Sequence, residues 1–231
     1  MKPLHIISYL SPSIPAEFFR MVAADLEATL EFNEAISGPL AGDEEPFTTG
    51  RADVGFVCSP TYRWLQQKVE LLPLPVPLDP RAAGRPVYFG DVIVRADTGF
   101  HRFEDLRGRR WAFNDRNSRS GWFSMLERAG ENFFERCIHS GSHLQSIEMV
   151  RSGAADAASI DSNVILRVNA KGLHVLESWG PFAIQPSIVR ANLDAHEKNR
   201  VAHSLLTLHH RQALERFGFS RFVAPDASLY V

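Results

Sequence analysis

Residues 137–161, CIHSGSHLQSIEMVRSGAADAASID, carry the pattern that decides the fold. The apolar stretch 137–140 is typical of the end of a strand, and 157–161 is typical of a buried strand that ends in a carboxylate. Between them, Ser142 and Gln145 have the spacing of a capping box, which predicts that a helix begins there. A strand, a helix and a second strand in this order predict a βαβ unit with parallel strands.

The same alternation extends outward over the rest of the chain. Short runs rich in Ile, Val and Phe predict strands, and apolar residues recur at helical spacing between them, so the chain is predicted to be α/β. Further strands are predicted at 4–9, 53–58, 88–95, 110–114, 173–177 and near Ile188; helices are predicted at 15–30, 59–67, 103–106, within 114–130 and at 194–217; and 71–86, rich in proline and glycine, is predicted to be a connector.

The composition excludes several classes of function. The chain has 231 residues, of which 45% are hydrophobic and 23% charged, and its formal charge is -2. This balance gives no broad positive field, so no nucleic-acid partner is expected. The two cysteines give no zinc or disulfide spacing, His203, His209 and His210 offer no i, i+4 pair, and neither a dinucleotide fingerprint nor a Walker loop is present. We therefore predict no metal and no cofactor.

The first residues, MKPLHIISYL, lack the long apolar segment and small-residue cleavage site of an export signal. As given, the chain is therefore expected in the cytoplasm, and it is expected in the periplasm if an export signal has been removed from it. No run of about 18 apolar residues occurs, so no membrane-spanning helix is predicted.

Three predicted strand-to-helix turns begin with a small hydroxyl residue: at Ser59, at 117–121 and at Ser142. The first backbone N–H groups of a helix have no intrahelical partner, and together with the helix dipole they bind anions. Each turn is equally explained as an ordinary helix cap. The turn at 117–121 favours an anion site because it combines Asn117, two serines, Arg119 and a glycine.

One part of the chain resembles a known family. The segments YFGDVIVRADTGFHRFEDLRGRRWAFND (88–115), NSRSGW (117–122) and HSGSHLQSIEMVRSGAADAASIDS (139–162) resemble the phosphate-, phosphite- and phosphonate-binding components of ABC importers, a branch of the type II periplasmic binding proteins. The resemblance covers about a third of the chain well. It implies two α/β lobes, each a mostly parallel sheet flanked by helices, with two hinge crossovers. Lobe one would comprise 1–90 and 183–231, and lobe two 91–182.

The resemblance also implies a set of ligand contacts. The serine-rich turn would cradle the tetrahedral head of the ligand. By position, the implied contacts are Ser118, Arg119, Ser120, His143, Asp161, Tyr62 and Tyr88. To these we add Asn117 and, from its place at the end of the first strand, Tyr9. Arg119 stands where the family usually has a small hydroxyl residue. Its side chain would either pair with the oxyanion or point to water and leave the backbone N–H to bind.

The other site residues have alternative interpretations. His143 could be a solvated residue of a first helical turn, or a donor to the anion. Asp161 could cap the turn formed with Ser162 and Asn163, or accept a hydrogen bond from a ligand amine or protonated oxygen. Tyr62 and Tyr88 could be ordinary packing aromatics.

The resulting functional hypothesis is a solute-binding protein that captures a small anionic ligand in a cleft between the lobes and performs no chemistry on it. It would act as a monomer, with an ABC transporter permease as a partner. One alternative is a cytosolic enzyme of the same fold, such as one of menaquinone biosynthesis, with His143 and Asp161 as the pair for proton abstraction. Another is a ligand-sensing domain.

Overall fold

A computed structural model describes residues 3–32 and 46–231. The chain forms two compact units, one of Met1–Val87 with Ala183–Val231 (unit 1) and one of Tyr88–Phe182 (unit 2). None of the helices in the described ranges has the length and apolar character needed to cross a bilayer.

The described residues alternate between strands and helices. The strands are β1 His5–Ser8, β2 Thr29–Phe32, β3 Val54–Phe56, β4 Val69–Leu71, β5 Leu74–Pro77, β6 Val87–Arg95, β7 Arg110–Phe113, β8 Arg136–His139, β9 Ala157–Asp161, β10 Leu173–Ala183, β11 Ser187–Arg190 and β12 Phe219–Val223. The α-helices are α1 Ala16–Asp25, α2 Ser59–Leu65, α3 Ser124–Arg128, α4 His143–Ser152, α5 Ser162–Ile165 and α6 Ala195–Thr207, and a π-helical turn spans Arg119–Phe123. Short 3-10 helices lie at Pro80–Ala82, Phe103–Leu106, Glu131–Phe133, Leu208–His210, Leu214–Phe217 and Ala227–Tyr230.

Each unit is built on a five-stranded sheet. In unit 1 the strand order is β2-β1-β3-β11-β4; β1 is parallel to β2 and β3, and β11 is antiparallel to both of its neighbours. In unit 2 the order is β10-β6-β9-β7-β8; β7 is parallel to β8 and β9, whereas β6 is antiparallel to β9. The predicted α/β class is confirmed, with the antiparallel strands inserted beside the parallel ones.

Two predicted helices are too long. The helix predicted at 15–30 ends at Asp25, because Glu27 takes a positive φ of 51° and the chain turns into β2, which pairs with β1. The helix predicted at 194–217 ends at Thr207, and two short 3-10 helices lead through Gly218, with φ of 85°, into β12. In both regions pairing with a distant strand outweighs local helical periodicity.

The connector predicted at 71–86 contains β5, which was not predicted because two of its four residues are proline. It pairs with β12 in a two-stranded ribbon, in which Pro75 lies opposite Phe222. Proline is tolerated there because each strand of a ribbon has an unpaired edge. Phe219 and Phe222 of β12 are buried in the core of unit 1.

In unit 2, β9 separates two apolar clusters. Ala157 faces a cluster that includes Trp111 and Phe113 of β7, whereas Ala158 and Ile160 face α4. All five residues of β9 are buried. The carboxyl ends of β7 and β9, where ligand-binding turns gather in parallel sheets, are therefore held by packing on both faces.

Candidate anion-binding site

The turn after β7 is shaped by Ser118. Its Oγ accepts the N–H of Gly121 at 3.0 Å, and its carbonyl accepts the N–H groups of Trp122 and Phe123. The predicted cap is thus confirmed, although it opens a π-helical turn instead of an α-helix. Within the described chain, the backbone N–H groups of Arg119 and Ser120 have no acceptor, so they can bind an anion.

Gly121 allows a close approach inside this turn. A Cβ atom at this position would lie 2.0 Å from Oδ1 of Asn114, a distance that no real Cβ tolerates. The glycine is therefore required so that the turn can pack against the Asn114 side chain.

Asp115 stabilises the turn that follows β7, and the sequence analysis did not predict this role. Its Oδ1 accepts the N–H of Asn117 at 2.7 Å, and its Oδ2 accepts Nδ2 of Asn114 at 2.9 Å. Burial raises the pKa of Asp115, whereas the N–H groups of Asn117 and Ser118 lower it. A carboxylate that bonds the N–H two residues later is an Asx turn, which was the available signal. The N–H of Asn117 therefore shapes the turn, and a ligand contact of Asn117 stays a prediction.

Arg119 directs its side chain to protein groups. Nη1 lies 2.5 Å from Oε1 of Glu127, and the guanidinium carbon lies 4.5 Å from the ring centroid of Phe182. The side chain thus bonds Glu127, whereas the two predicted arrangements had it pair with the oxyanion or point to water; binding of the anion by the backbone N–H stays a prediction. The guanidinium instead covers the Phe182 ring.

His143 is the first residue of α4, whose cap is Ser142 as predicted: the N–H of Gln145 donates to Ser142 Oγ at 3.1 Å. The imidazole is buried, so the interpretation of a solvated residue is wrong. Nε2 lies 3.4 Å from Oγ of Ser120, and Nδ1 has no hydrogen-bond partner among the described residues. Burial lowers the pKa of His143 to about 3. It is therefore neutral near pH 7, where it can donate one hydrogen bond and accept one.

Asp161 ends β9 and is buried. Its Oδ1 accepts the N–H of Asn163 at 2.8 Å, which confirms the capping interpretation for one of its two oxygens. Arg167 donates from Nε to the carbonyl of Asn163 at 2.8 Å. Burial lowers the pKa of Arg167, and the charge of Asp161 raises it. The carboxylate is therefore accompanied by a cation that lies just beyond the end of α5, the short helix that Asp161 caps.

Ser159 and Asn163 are further polar residues near Asp161 that sequence reasoning missed. Oγ of Ser159 and both amide atoms of Asn163 are buried and have no hydrogen-bond partner in the described part of the chain. A Cβ on Gly90 would lie 2.8 Å from Oγ of Ser159 and 3.3 Å from Cβ of Ser120, which brings Ser159 beside the anion-binding turn. Strand alternation was the available signal for Ser159, since it shares a face with Asp161.

The three tyrosines predicted to contact the ligand lie in different surroundings. Tyr88 is buried in unit 2, with its ring centroid 5.8 Å from that of Phe182. Tyr62 belongs to unit 1; its ring lies 5.0 Å from that of Tyr230, and burial raises its pKa. Tyr9 follows β1 in unit 1 and donates its N–H to the carbonyl of Phe56 at 3.1 Å. Their ligand contacts stay predictions.

The predicted cap at Ser59 is wrong. Ser59 is itself the first residue of α2, and Cys58 occupies the cap position without a side-chain hydrogen bond. In the described ranges, no group of three His, Cys, Asp or Glu side chains could hold a metal ion.

The chain is similar to proteins of known class over nearly its whole length. Residues 5–230 match the family model described as "ABC transporter, phosphonate, periplasmic substrate-binding protein". A binding protein component of an ABC phosphonate transporter from Pseudomonas aeruginosa is 16% identical, with a TM-score of 0.79, over 99% of this chain and 84% of that chain. PhnD1 from Prochlorococcus marinus, solved with methylphosphonate, is 17% identical, with a TM-score of 0.76, over 99% and 94%. A Xanthomonas citri protein solved with ATP is 16% identical, with a TM-score of 0.71, over 99% and 93%. These likenesses confirm the predicted type II periplasmic-binding-protein fold.

Proposed function

Because the chain belongs to the family of periplasmic substrate-binding proteins of ABC phosphonate transporters, we propose that it captures a phosphate-, phosphite- or phosphonate-like anion at the turn that follows β7. Membership of the family makes it a solute-binding protein with a small ligand and a transporter permease as partners, and not an enzyme. The alternative of a menaquinone-biosynthesis enzyme is therefore not favoured.

One observation carries the proposal of this turn. Ser120 offers a backbone N–H without an acceptor among the described residues and a hydroxyl 3.4 Å from the neutral imidazole of His143, and the N–H of Arg119 adjoins it. Tetrahedral oxyanions accept several hydrogen bonds at once, and N–H donors at the start of a helical turn suit them. Since Arg119 is paired with Glu127, hydrogen bonds carry most of the recognition.

The location and the oligomeric state belong to the same proposal. We place the protein in the periplasm, because the family is described as periplasmic, and we expect it to bind its ligand as a monomer. The division of the chain into two lobes, with boundaries near residues 90 and 182, belongs to the same proposal.

The proposal is tested by calorimetry with inorganic phosphate, phosphite and methylphosphonate, using acetate as a planar control anion. Each hydrogen bond to a charged group contributes about 1.5 to 3 kcal/mol, so Ser120→Ala should weaken the tightest of these ligands by about tenfold or more. Phosphorus NMR of the ligand after binding should show that it is chemically unchanged.

Ser146→Ala is the matched control, because Ser146 is a buried serine of α4 whose hydroxyl bonds Ser140 Oγ at 2.7 Å. It should leave the affinity unchanged. Equal affinity of the wild type and Ser120→Ala, with the fold intact, would remove this turn from the site. Absence of binding to all three phosphorus oxyanions would overturn the proposed ligand class.

A further inference from the structure

Ser159 and Asn163 are buried polar residues of unit 2 whose side chains are unpaired, as are Oδ1 of Asn114 and Nδ1 of His143 among the described residues. Ser159 is 1% exposed and Asn163 is 3% exposed. Oγ of Ser159, and Oδ1 and Nδ2 of Asn163, have no hydrogen-bond partner within the described residues. A buried polar atom without a partner destabilises a fold, so such atoms are rarely kept without a use.

Both residues adjoin groups of the proposed site. Oγ of Ser159 lies 2.8 Å from the point where a Gly90 Cβ would stand, and Cβ of Ser120 lies 3.3 Å from the same point. Gly90 is the register partner of Asp161, whose Oδ1 accepts the N–H of Asn163 at 2.8 Å. The two orphaned side chains thus flank Asp161 along the chain, and one of them neighbours Ser120.

The chemistry of these atoms selects one kind of ligand group. The Asn163 amide presents a donor nitrogen and an acceptor oxygen, and the Ser159 hydroxyl can act as either donor or acceptor. An ammonium group only donates and would leave Nδ2 of Asn163 unpaired, and a methyl group would satisfy neither residue. A hydroxyl group both donates and accepts, so it can complement this pair.

We propose that Ser159 and Asn163 form a neutral polar subsite for a hydroxyl group on the organic substituent of the bound anion, so that the protein prefers hydroxylated phosphonates to their unsubstituted alkyl counterparts. This inference rests on the proposed function and narrows its ligand class. It assigns the substituent to the β9 side of the site and the charged head to the turn at Ser120.

The test compares hydroxymethylphosphonate with methylphosphonate, which differ by one hydroxyl group, by calorimetry on the full chain. Wild type should bind the hydroxylated ligand about five- to tenfold more tightly, as expected for one net hydrogen bond. Ser159→Ala, and separately Asn163→Leu, should reduce this ratio towards one while changing the affinity for methylphosphonate by less than about twofold.

Thermal unfolding separates this role from a structural one. Ser159→Ala removes an unpaired hydroxyl, so its Tm without ligand should be unchanged or higher. In the matched control Ser146→Ala, a paired hydroxyl is lost, so Tm should fall while the preference between the two ligands persists.

The outcomes distinguish a failure of the subsite from a failure of the proposed function. Equal affinity of wild type for the two phosphonates, or a preference that survives in both Ser159→Ala and Asn163→Leu, overturns the subsite while the proposed function stands. Failure of wild type to bind either phosphonate overturns the proposed function and the subsite together.

Discussion

His143 illustrates how a single residue changes meaning between sequence and structure. In the sequence it is a polar residue in a first helical turn, and such residues are commonly solvated. In the structure it is 3% exposed, and burial lowers its pKa to about 3. The cause is tertiary packing, which local sequence does not encode. At the proposed site it can therefore act as a neutral hydrogen-bonding group and not as a cation.

This burial predicts a pH-dependent stability. The pKa of histidine is about 6.5 in an unfolded chain and about 3 for His143 in the fold, so folding favours the neutral form. Its contribution is fully present above pH 6.5 and is lost as the pH falls towards 3, at up to about 1.4 kcal/mol per pH unit. Denaturant unfolding of His143→Gln should show a shallower loss between pH 6.5 and 5, where few carboxylates titrate. Parallel curves for the two proteins would contradict the burial of the imidazole.

At the scale of elements, the π-helical turn Arg119–Phe123 shows what a motif can predict. The residue types of the turn predict a capped helix start, and Ser118 does cap it. The local winding follows from packing against Asn114, so it could not be predicted from the motif alone, whereas the support by Asp115 had the local signal of an Asx turn. Likewise β5 and β12 are formed by a pairing between residues more than a hundred positions apart, which local proline content obscures.

The tight packing of this turn predicts the effect of a single methyl group. In Gly121→Ala the new Cβ would meet Asn114 Oδ1 at 2.0 Å, so the turn must shift, at a cost of about 1 to 3 kcal/mol in the free energy of unfolding. Binding of inorganic phosphate or methylphosphonate should weaken with it, because the N–H groups of Arg119 and Ser120 move.

The double variant Gly121→Ala with Asn114→Ala removes the clashing atom and serves as the control. Its free energy of unfolding should exceed the value expected from adding the two single effects, a coupling that a double-mutant cycle measures. Simple additivity would show that the clash with Asn114 does not limit the turn.

At the scale of the whole molecule, the order of the predicted strands and helices was more informative about the fold than any single segment. The α/β alternation, the capped α4 and the carboxylate at the end of β9 were all predictable, because each depends on local pattern. Alternation places Ser159 on the face of Asp161, but its closeness to Ser120 was not predictable, because it depends on which elements become neighbours. The formal charge of -2 does not attract anions, so affinity must come from short-range groups and their charges.

The charge state of the preferred ligand follows from those groups. Asp161 is a buried carboxylate close to residues of the proposed site, and a second negative charge near it is unfavourable unless a proton or a ligand cation lies between them. We therefore expect a protonated monoanion to bind best. The affinity for methylphosphonate should fall as the pH rises through the ligand's second ionisation, and Asp161→Asn should flatten this slope.

Two further variants identify the group responsible. His143→Gln should keep the slope, because the imidazole, with a pKa of about 3, is already neutral throughout this range. Arg167→Met should steepen it, because the guanidinium whose pKa Asp161 raises would no longer offset the carboxylate. The measurement is a pH series of dissociation constants for wild type and the three variants. A slope that survives in Asp161→Asn and vanishes in His143→Gln would mean that the histidine senses the ligand's charge and that the role given to Asp161 is wrong.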